Sequence, residues 1–279
     1  MTSVPTDPGV TASLDDLRDG LRALGRVVVA FSGGADSAFL AWVARDTLGF
    51  DRVLAVTAVS PSLPAAERAE CADLAAEWGL RWREVVTDEL ADAAYARNDA
   101  DRCYWCKDAL LRAAGPLAKT EDATVVLGVN LDDLGDHRPG QRAATEHGAA
   151  FPLVDAGFTK ADVREWSRRL ALRTWDKPAA ACLASRLPYG TPVTLRRLAT
   201  VERAEAALRA LGFRELRVRH YGDTARLEVP LDRLADVVAL REEVVAAVQS
   251  AGYRYVTLDL EGLRSGNLNA ALDIAARPA

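Results

Sequence analysis

No segment of the 279-residue chain approaches the ~20 consecutive apolar residues that a membrane span needs. The opening residues, Met1 to Pro8, lack the charged start and apolar stretch of an export signal. A cytoplasmic protein with no membrane partner is therefore expected. Positive charge is also short: 35 Lys and Arg face 40 Asp and Glu, a net charge of −5, which argues against a chain built mainly to hold nucleic acid through its phosphates. Four cysteines are few for a disulfide scaffold of this length. Two of them, Cys103 and Cys106, stand at C-x-x-C spacing and point instead to thiol or metal chemistry. Internal repeats and low-complexity tracts are absent as well. What remains, 27% charged and 49% hydrophobic residues, is close to the average of folded globular proteins and enough for two ordinary domains.

The most informative segment runs from an apolar strand through Ser32-Gly-Gly-Ala-Asp-Ser37 into a helix. Gly33 and Gly34 remove side chains that would hold an anion off the backbone, and the helix start aims unpaired N–H groups and its positive dipole end at the same point. The string lacks the Gly-Lys-Ser/Thr ending of a Walker A loop and the spacing of a dinucleotide fingerprint. It resembles the S-G-G-x-D-S signature of the PP-loop ATP pyrophosphatases, which activate a substrate oxygen as an adenylate and release pyrophosphate. The bland reading is a glycine turn with no ligand.

Strand-like runs at Arg26–Phe31, Val53–Val59, Leu80–Val86 and Thr124–Val129 alternate with helical runs at Ala38–Gly49, Ala65–Gly79 and around 91–114. This alternation predicts βαβ units and a parallel sheet. Ligands of such sheets sit at the carboxyl ends of the strands, where Ser32, Thr57 and Asn130 all fall. A further helix is predicted from the Thr159-Lys-Ala-Asp162 capping spacing. From about 191 the pattern becomes a helix to Leu211, a hairpin across Gly222-Asp223, a helix to Ser250 and a last strand. The fold expected is α/β: a parallel-sheet domain over residues 14–188 and a smaller α/β domain over 189–279.

The cysteines are not equivalent. Cys71 shares an i, i+3, i+4, i+7 face with Leu74, Ala75 and Trp78 and reads as core. Cys103 and Cys106, in Arg102-Cys-Tyr-Trp-Cys-Lys107, have the spacing of two metal ligands or a redox pair. Cys182 lies in a proline-bounded loop, where packing gives little reason for a thiol. A zinc site would need His137 or His220 as fourth ligand, an iron–sulfur cluster would leave one iron without a protein thiolate, and an ordinary thiol pair with Cys182 apart stands beside both.

Over nearly the whole chain after residue 13, the sequence resembles the LarE family of ATP-dependent sulfur transferases, PP-loop enzymes that serve the synthesis of a nickel-pincer nucleotide cofactor. Besides Ser32–Ser37, the likeness rests on Arg102–Lys107, Gly128-Val-Asn-Leu-Asp-Asp-Leu-Gly-Asp-His-Arg-Pro-Gly140, Lys177-Pro-Ala-Ala-Ala-Cys-Leu-Ala-Ser-Arg186, Arg217-Val-Arg219, Ala225–Val229 and Asp259–Gly266. His137, Leu263 and Asn267 depart from the family's usual Tyr, Tyr and Ser. The resemblance implies adenylation and thiolation of the carboxylates of pyridinium-3,5-biscarboxylic acid mononucleotide. It implies ATP and Mg²⁺ at Ser32, Gly33, Gly34, Asp36, Ser37, Thr57, Asn130 and Asp133, and substrate at Trp105, Arg138, Ser185, Arg186, Arg217 and Arg219. Cys182 is implied as the sulfur-bearing residue, or Cys182, Cys103 and Cys106 as holders of a [4Fe–4S] cluster that delivers a sulfide; the presence of all three favours the second version. Glu205 and Glu228 are acidic residues that could take a metal, and a homo-oligomer is implied, the family being hexameric. Two rivals are a PP-loop tRNA thiolase, which would want a nucleic-acid surface, and an ATP-binding module without chemistry.

Overall fold

The structure, a computed structural model, describes residues 11–134, 139–178 and 181–264. These residues pack as two compact units: 11–60, 65–88 and 103–178 in the first, and 61–64, 89–102 and 181–264 in the second.

The first unit is built on four parallel strands, β1 (Val27–Ala30), β2 (Val53–Val59), β3 (Arg81–Val86) and β4 (Thr124–Leu127), in the order β3-β2-β1-β4. The alternation expected from the sequence is thus an all-parallel sheet. Its strands are apolar on both faces because both are covered. Val27 and Val29 join a core with Phe39, Leu40 and Val43 of helix Ala35–Leu48, while Val28, between them, points the other way onto Ala114 and Ala118 of helix Arg102–Glu121. Helix Ala35–Leu48 is buried nearly all round, between the sheet and helices Leu14–Leu24 and Lys160–Arg169.

Two boundaries differ from those expected. The helical stretch around 91–114 resolves into a short turn of helix, Ala93–Ala96, and a long helix that continues through Gly115 and Pro116 to Glu121. Proline there forfeits one N–H bond of a 20-residue helix, and the apolar positions Leu110, Leu111, Ala114 and Ala118 keep the face buried past it. Strand β4 stops at Leu127, before Val129, for a reason that lies in the site described below.

In the second unit β5 (Arg217–Tyr221) and β6 (Thr224–Glu228) form the expected antiparallel hairpin, Tyr221 facing Thr224 across Gly222-Asp223 with Gly222 at φ +60°. β7 (Tyr255–Leu258) adds to β6 in parallel. Helices Leu195–Ala210 and Arg241–Ser250 supply Ala204, Leu208, Val244 and Val248 to a core shared with Val218, Ala225 and Leu227 of the sheet. The single helix expected to run to Ser250 breaks at Leu240, whose backbone leaves helical geometry as its side chain turns into that core.

Candidate active site

In the first unit β1 lies between β2 and β4, so the chain's successive crossovers leave β1 in opposite directions and open a crevice at its carboxyl end. The Ser32–Ser37 loop occupies that position. Gly33 sits at φ +69°, a conformation open to glycine at little cost. Gly34 caps helix Ala35–Leu48 with no side-chain acceptor, which leaves the first-turn N–H groups for another acceptor. Ser32 and Ser37 brace the turn: their hydroxyls lie 3.1 Å apart, and Ser37 Oγ donates to the Gly34 carbonyl at 3.1 Å.

The end of β4 meets this loop. Asn130 is fully buried and its Nδ2 donates to Asp36 Oδ1 at 3.2 Å, while Asn130 Oδ1 has no hydrogen-bond partner. Asp133 accepts the Asn130 N–H at 3.2 Å. Burial holds the Asp36 carboxyl above its ordinary range; the charge of Asp133 adds to this, and Lys160, the Asn130 hydrogen bond and Arg164 oppose it. Two carboxylates and an unanswered amide oxygen form a donor set that suits a hard cation such as Mg²⁺. Thr57, by contrast, spends its hydroxyl on the scaffold, donating to the Phe31 carbonyl at 2.7 Å and accepting from Trp82 Nε1 at 2.9 Å.

Gly128 was not singled out from the sequence, although it heads the Gly-Val-Asn segment after a strand. A β-carbon there would stand 2.8 Å from Ser37 N and 2.9 Å from Asp36 C. These are backbone atoms that cannot swing away, and this close approach is why β4 ends one residue earlier. Gly128→Ala is expected to displace the helix start, weakening ATP binding ~10- to 100-fold and lowering stability by about 1–3 kcal/mol. Calorimetric titration with ATP beside a thermal melt checks both; unchanged affinity in a folded variant would contradict the contact.

Cys71 is core, as expected: fully buried beneath the loop, with Sγ 3.0 Å from where a β-carbon on Gly33 would lie. Burial pushes its thiol up to about 11, which makes it inert as a nucleophile. All four cysteines are free. Cys103 and Cys106 lie one helical turn apart at the start of helix Arg102–Glu121, the first exposed and the second partly so, and therefore share a face. Helix Pro139–Glu146 docks beside them through Gly140 against the Cys103 carbonyl, the Tyr104 hydroxyl donating to Glu146, and Arg142 over the Tyr104 ring. Trp105 meets Tyr104 edge to face. Arg138 and His137 lie outside the described residues.

Cys182 belongs to the second unit and precedes a 3-10 turn, Leu183–Arg186. Guanidiniums grip the main chain of this turn. Arg186 donates to the carbonyls of Ala181 (2.6 Å) and Cys182 (3.2 Å), Arg219 to that of Ser185 (2.7 Å) and Arg102 to that of Ala184 (2.9 Å). Ser185 Oγ donates to the Cys182 carbonyl at 2.7 Å. Glu205, fully buried, accepts from Arg186, Arg209 and the Val218 N–H. Glu228 accepts from Arg219 and Arg226. Both acids are thus committed as counter-ions, and a metal there would have to displace guanidiniums. Within either unit, among the described residues, no three His, Cys, Asp or Glu side chains cluster as a metal site. Arg217 donates to the Arg264 carbonyl; burial, with Arg219 and Arg186 nearby, lowers its affinity for its proton. An anion would relieve that cluster. Arg102 was read from the sequence only as a cation beside Cys103, and Asn98, at φ +62° with its amide shared among three carbonyls of residues 187, 188 and 191, was not read at all.

No protein-family model matches the chain. It is 44% identical to an uncharacterized protein of Synechocystis, over 94% of this chain and 98% of that one. It is 40% identical to the pyridinium-3,5-bisthiocarboxylic acid mononucleotide synthase of Lactiplantibacillus plantarum, over 90% of this chain and 92% of the synthase. An uncharacterized protein of Methanocaldococcus jannaschii is 26% identical over 86% of this chain and 91% of its own length.

Proposed function

The chain belongs to the LarE family, and from that premise we propose that it uses ATP to adenylate the carboxylates of pyridinium-3,5-biscarboxylic acid mononucleotide and converts them to thiocarboxylates. The observation that carries the adenylation step is the helix start at Gly34, uncapped by any side chain, beside Asp36 and the unpartnered Asn130 Oδ1. Backbone N–H groups there accept the β- and γ-phosphates, the substrate carboxylate attacks the α-phosphorus, and pyrophosphate leaves. Asp36, Asn130 and Asp133 would hold a magnesium ion, which when bound neutralises charge building on the departing pyrophosphate. Ser32 and Ser37 keep the loop in shape through their paired hydroxyls.

The sulfur step falls to Cys182, a free thiol on a turn whose carbonyls are fixed by arginines. Its sulfur attacks the acyl adenylate and AMP leaves; breaking of the Cys182 Cβ–S bond, with loss of the α-proton, leaves thiocarboxylate on the substrate and dehydroalanine in the chain. Cys103, Cys106 and Cys182, free thiols all, are the donor type of a [4Fe–4S] cluster, which when bound supplies a sulfide in place of the Cys182 sulfur. Arg217, with Arg186 and Arg219 nearby, supports binding of the substrate's phosphate or carboxylate.

Incubation with ATP, magnesium and the dicarboxylate mononucleotide is expected to release pyrophosphate and add sulfur to the substrate, read by mass spectrometry. Pyrophosphate release that depended on tRNA would favour the thiolase reading, and none with either partner would leave a nucleotide-binding module.

A further inference from the structure

Residues 172–177, just ahead of Pro178, form a strap tied across helix Ala65–Glu77. Arg173 pairs with Glu70 and Glu77, and Lys177 with Glu67 at 2.8 Å. Arg164 donates to the carbonyls of Trp175 and Lys177, so the strap is held from its other side as well. These ties place the Lys177 ammonium 2.9 Å from the carbonyl oxygen of Gly33, in the middle of the Ser32–Ser37 loop. An ammonium has three N–H groups; the Gly33 carbonyl and Glu67 take two. The side chain is 16% exposed, so the third can reach a ligand in the loop. The loop's own geometry calls for an anion: uncapped first-turn N–H groups on one side, and a buried Asn130 Oδ1 and Asp36 suited to that anion's cation on the other.

We propose that Lys177 is a phosphate-binding residue of the nucleotide site, holding Gly33 in its left-handed conformation through one N–H and contacting the β- or γ-phosphate of ATP through another. The inference rests on the ATP-dependent reading above. It also gives the spacing of Lys177 and Cys182, five residues apart, a purpose: one short segment carries both a phosphate ligand and the sulfur-bearing residue.

ATP and AMP affinities, measured by calorimetry on the full chain and on Lys177→Met and Lys177→Arg, test it. Lys177→Met is expected to lose ~10-fold or more in affinity for ATP and less than about 2-fold for AMP, with Lys177→Arg restoring most of the ATP affinity. Should Lys177→Met fail to fold by circular dichroism, Lys177→Gln, which keeps a donor for Gly33 without the charge, carries the same comparison. Equal losses for ATP and AMP would overturn the phosphate contact and reduce Lys177 to a loop brace; unchanged affinities would overturn the proposal altogether. A wild-type chain that bound no ATP would instead defeat the reading on which it rests.

Discussion

Cys182→Ala is expected to lower sulfur transfer by ~1000-fold or more while ATP and the dicarboxylate still yield pyrophosphate, because the substitution removes the nucleophile and leaves the adenylating loop intact. The fold should be indifferent to it, since the turn is held by Arg186, Arg219 and Arg102 through main-chain carbonyls and not through the thiol. The source of the sulfur separates the two versions of the chemistry. Under the cluster version, anaerobically reconstituted protein shows a charge-transfer absorbance that is lost in Cys103→Ala, Cys106→Ala and Cys182→Ala alike, and it delivers more than one sulfur per chain when sulfide is supplied. Under the sacrificial version, intact mass falls by one H₂S at position 182 after a single turnover, and Cys103→Ala transfers sulfur as well as the wild type. The three thiols together lead us to expect the first. Transfer at the wild-type rate by Cys182→Ala would exclude both.

Asp36→Asn is expected to reverse the usual link between damage and instability. Pyrophosphate release should fall by ~100-fold or more, since the neutral amide is a poor ligand for the cation that the departing pyrophosphate needs, yet the melting temperature should rise. The sign follows from the direction of the shift. Burial raises the Asp36 pKa in the folded chain, so the folded state binds the proton more tightly than the unfolded one. Its contribution is most favourable below the unfolded value and is lost as pH rises through the folded one. At neutral pH the ionised, buried carboxylate is therefore a liability that asparagine removes while keeping the oxygen that accepts from Asn130. A pH series of thermal melts on both proteins reads this directly: the gap should widen with rising pH through that window. A variant less stable than wild type at neutral pH would mean that Lys160 and Arg164 outweigh burial.

Local signals explain why much of the nucleotide site was legible in the residues. Ser32, Gly33, Gly34 and Asp36 are consecutive and follow an apolar strand, and Asn130 follows another, so the rule that ligands sit at strand ends brings them together. The hairpin at Gly222-Asp223 and the core position of Cys71 were readable for the same reason. What escaped depends on chain segments far apart in sequence. Lys177 reaches Gly33 across 144 residues and Arg102 reaches Ala184 across 82, and no periodicity encodes a side chain that bonds a distant carbonyl. Gly128 is invisible for a related reason, since its role is to be too small to strike Ser37. Thr57 falls at a strand end as expected, but its hydroxyl is spent on Phe31 and Trp82, a division of labour that only packing decides. The long helix passes Pro116 because burial on either side outweighs one missing bond.

The arginines around residues 181–186 fasten oxygens that every amino acid carries. The shape of that turn is consequently independent of the chemical fate of its one sulfur. A chain that had given up its thiol and carried dehydroalanine at 182 would retain the same backbone, the same buried counter-ions and the same melting point to within a degree or so, since the truncation removes only a partly exposed atom. Spent molecules would be indistinguishable from fresh ones to any quality control that senses unfolding. They would persist, still able to activate substrate, and would have to be recognised, if at all, by the electrophilic alkene itself, which an added thiol would reveal by capping it.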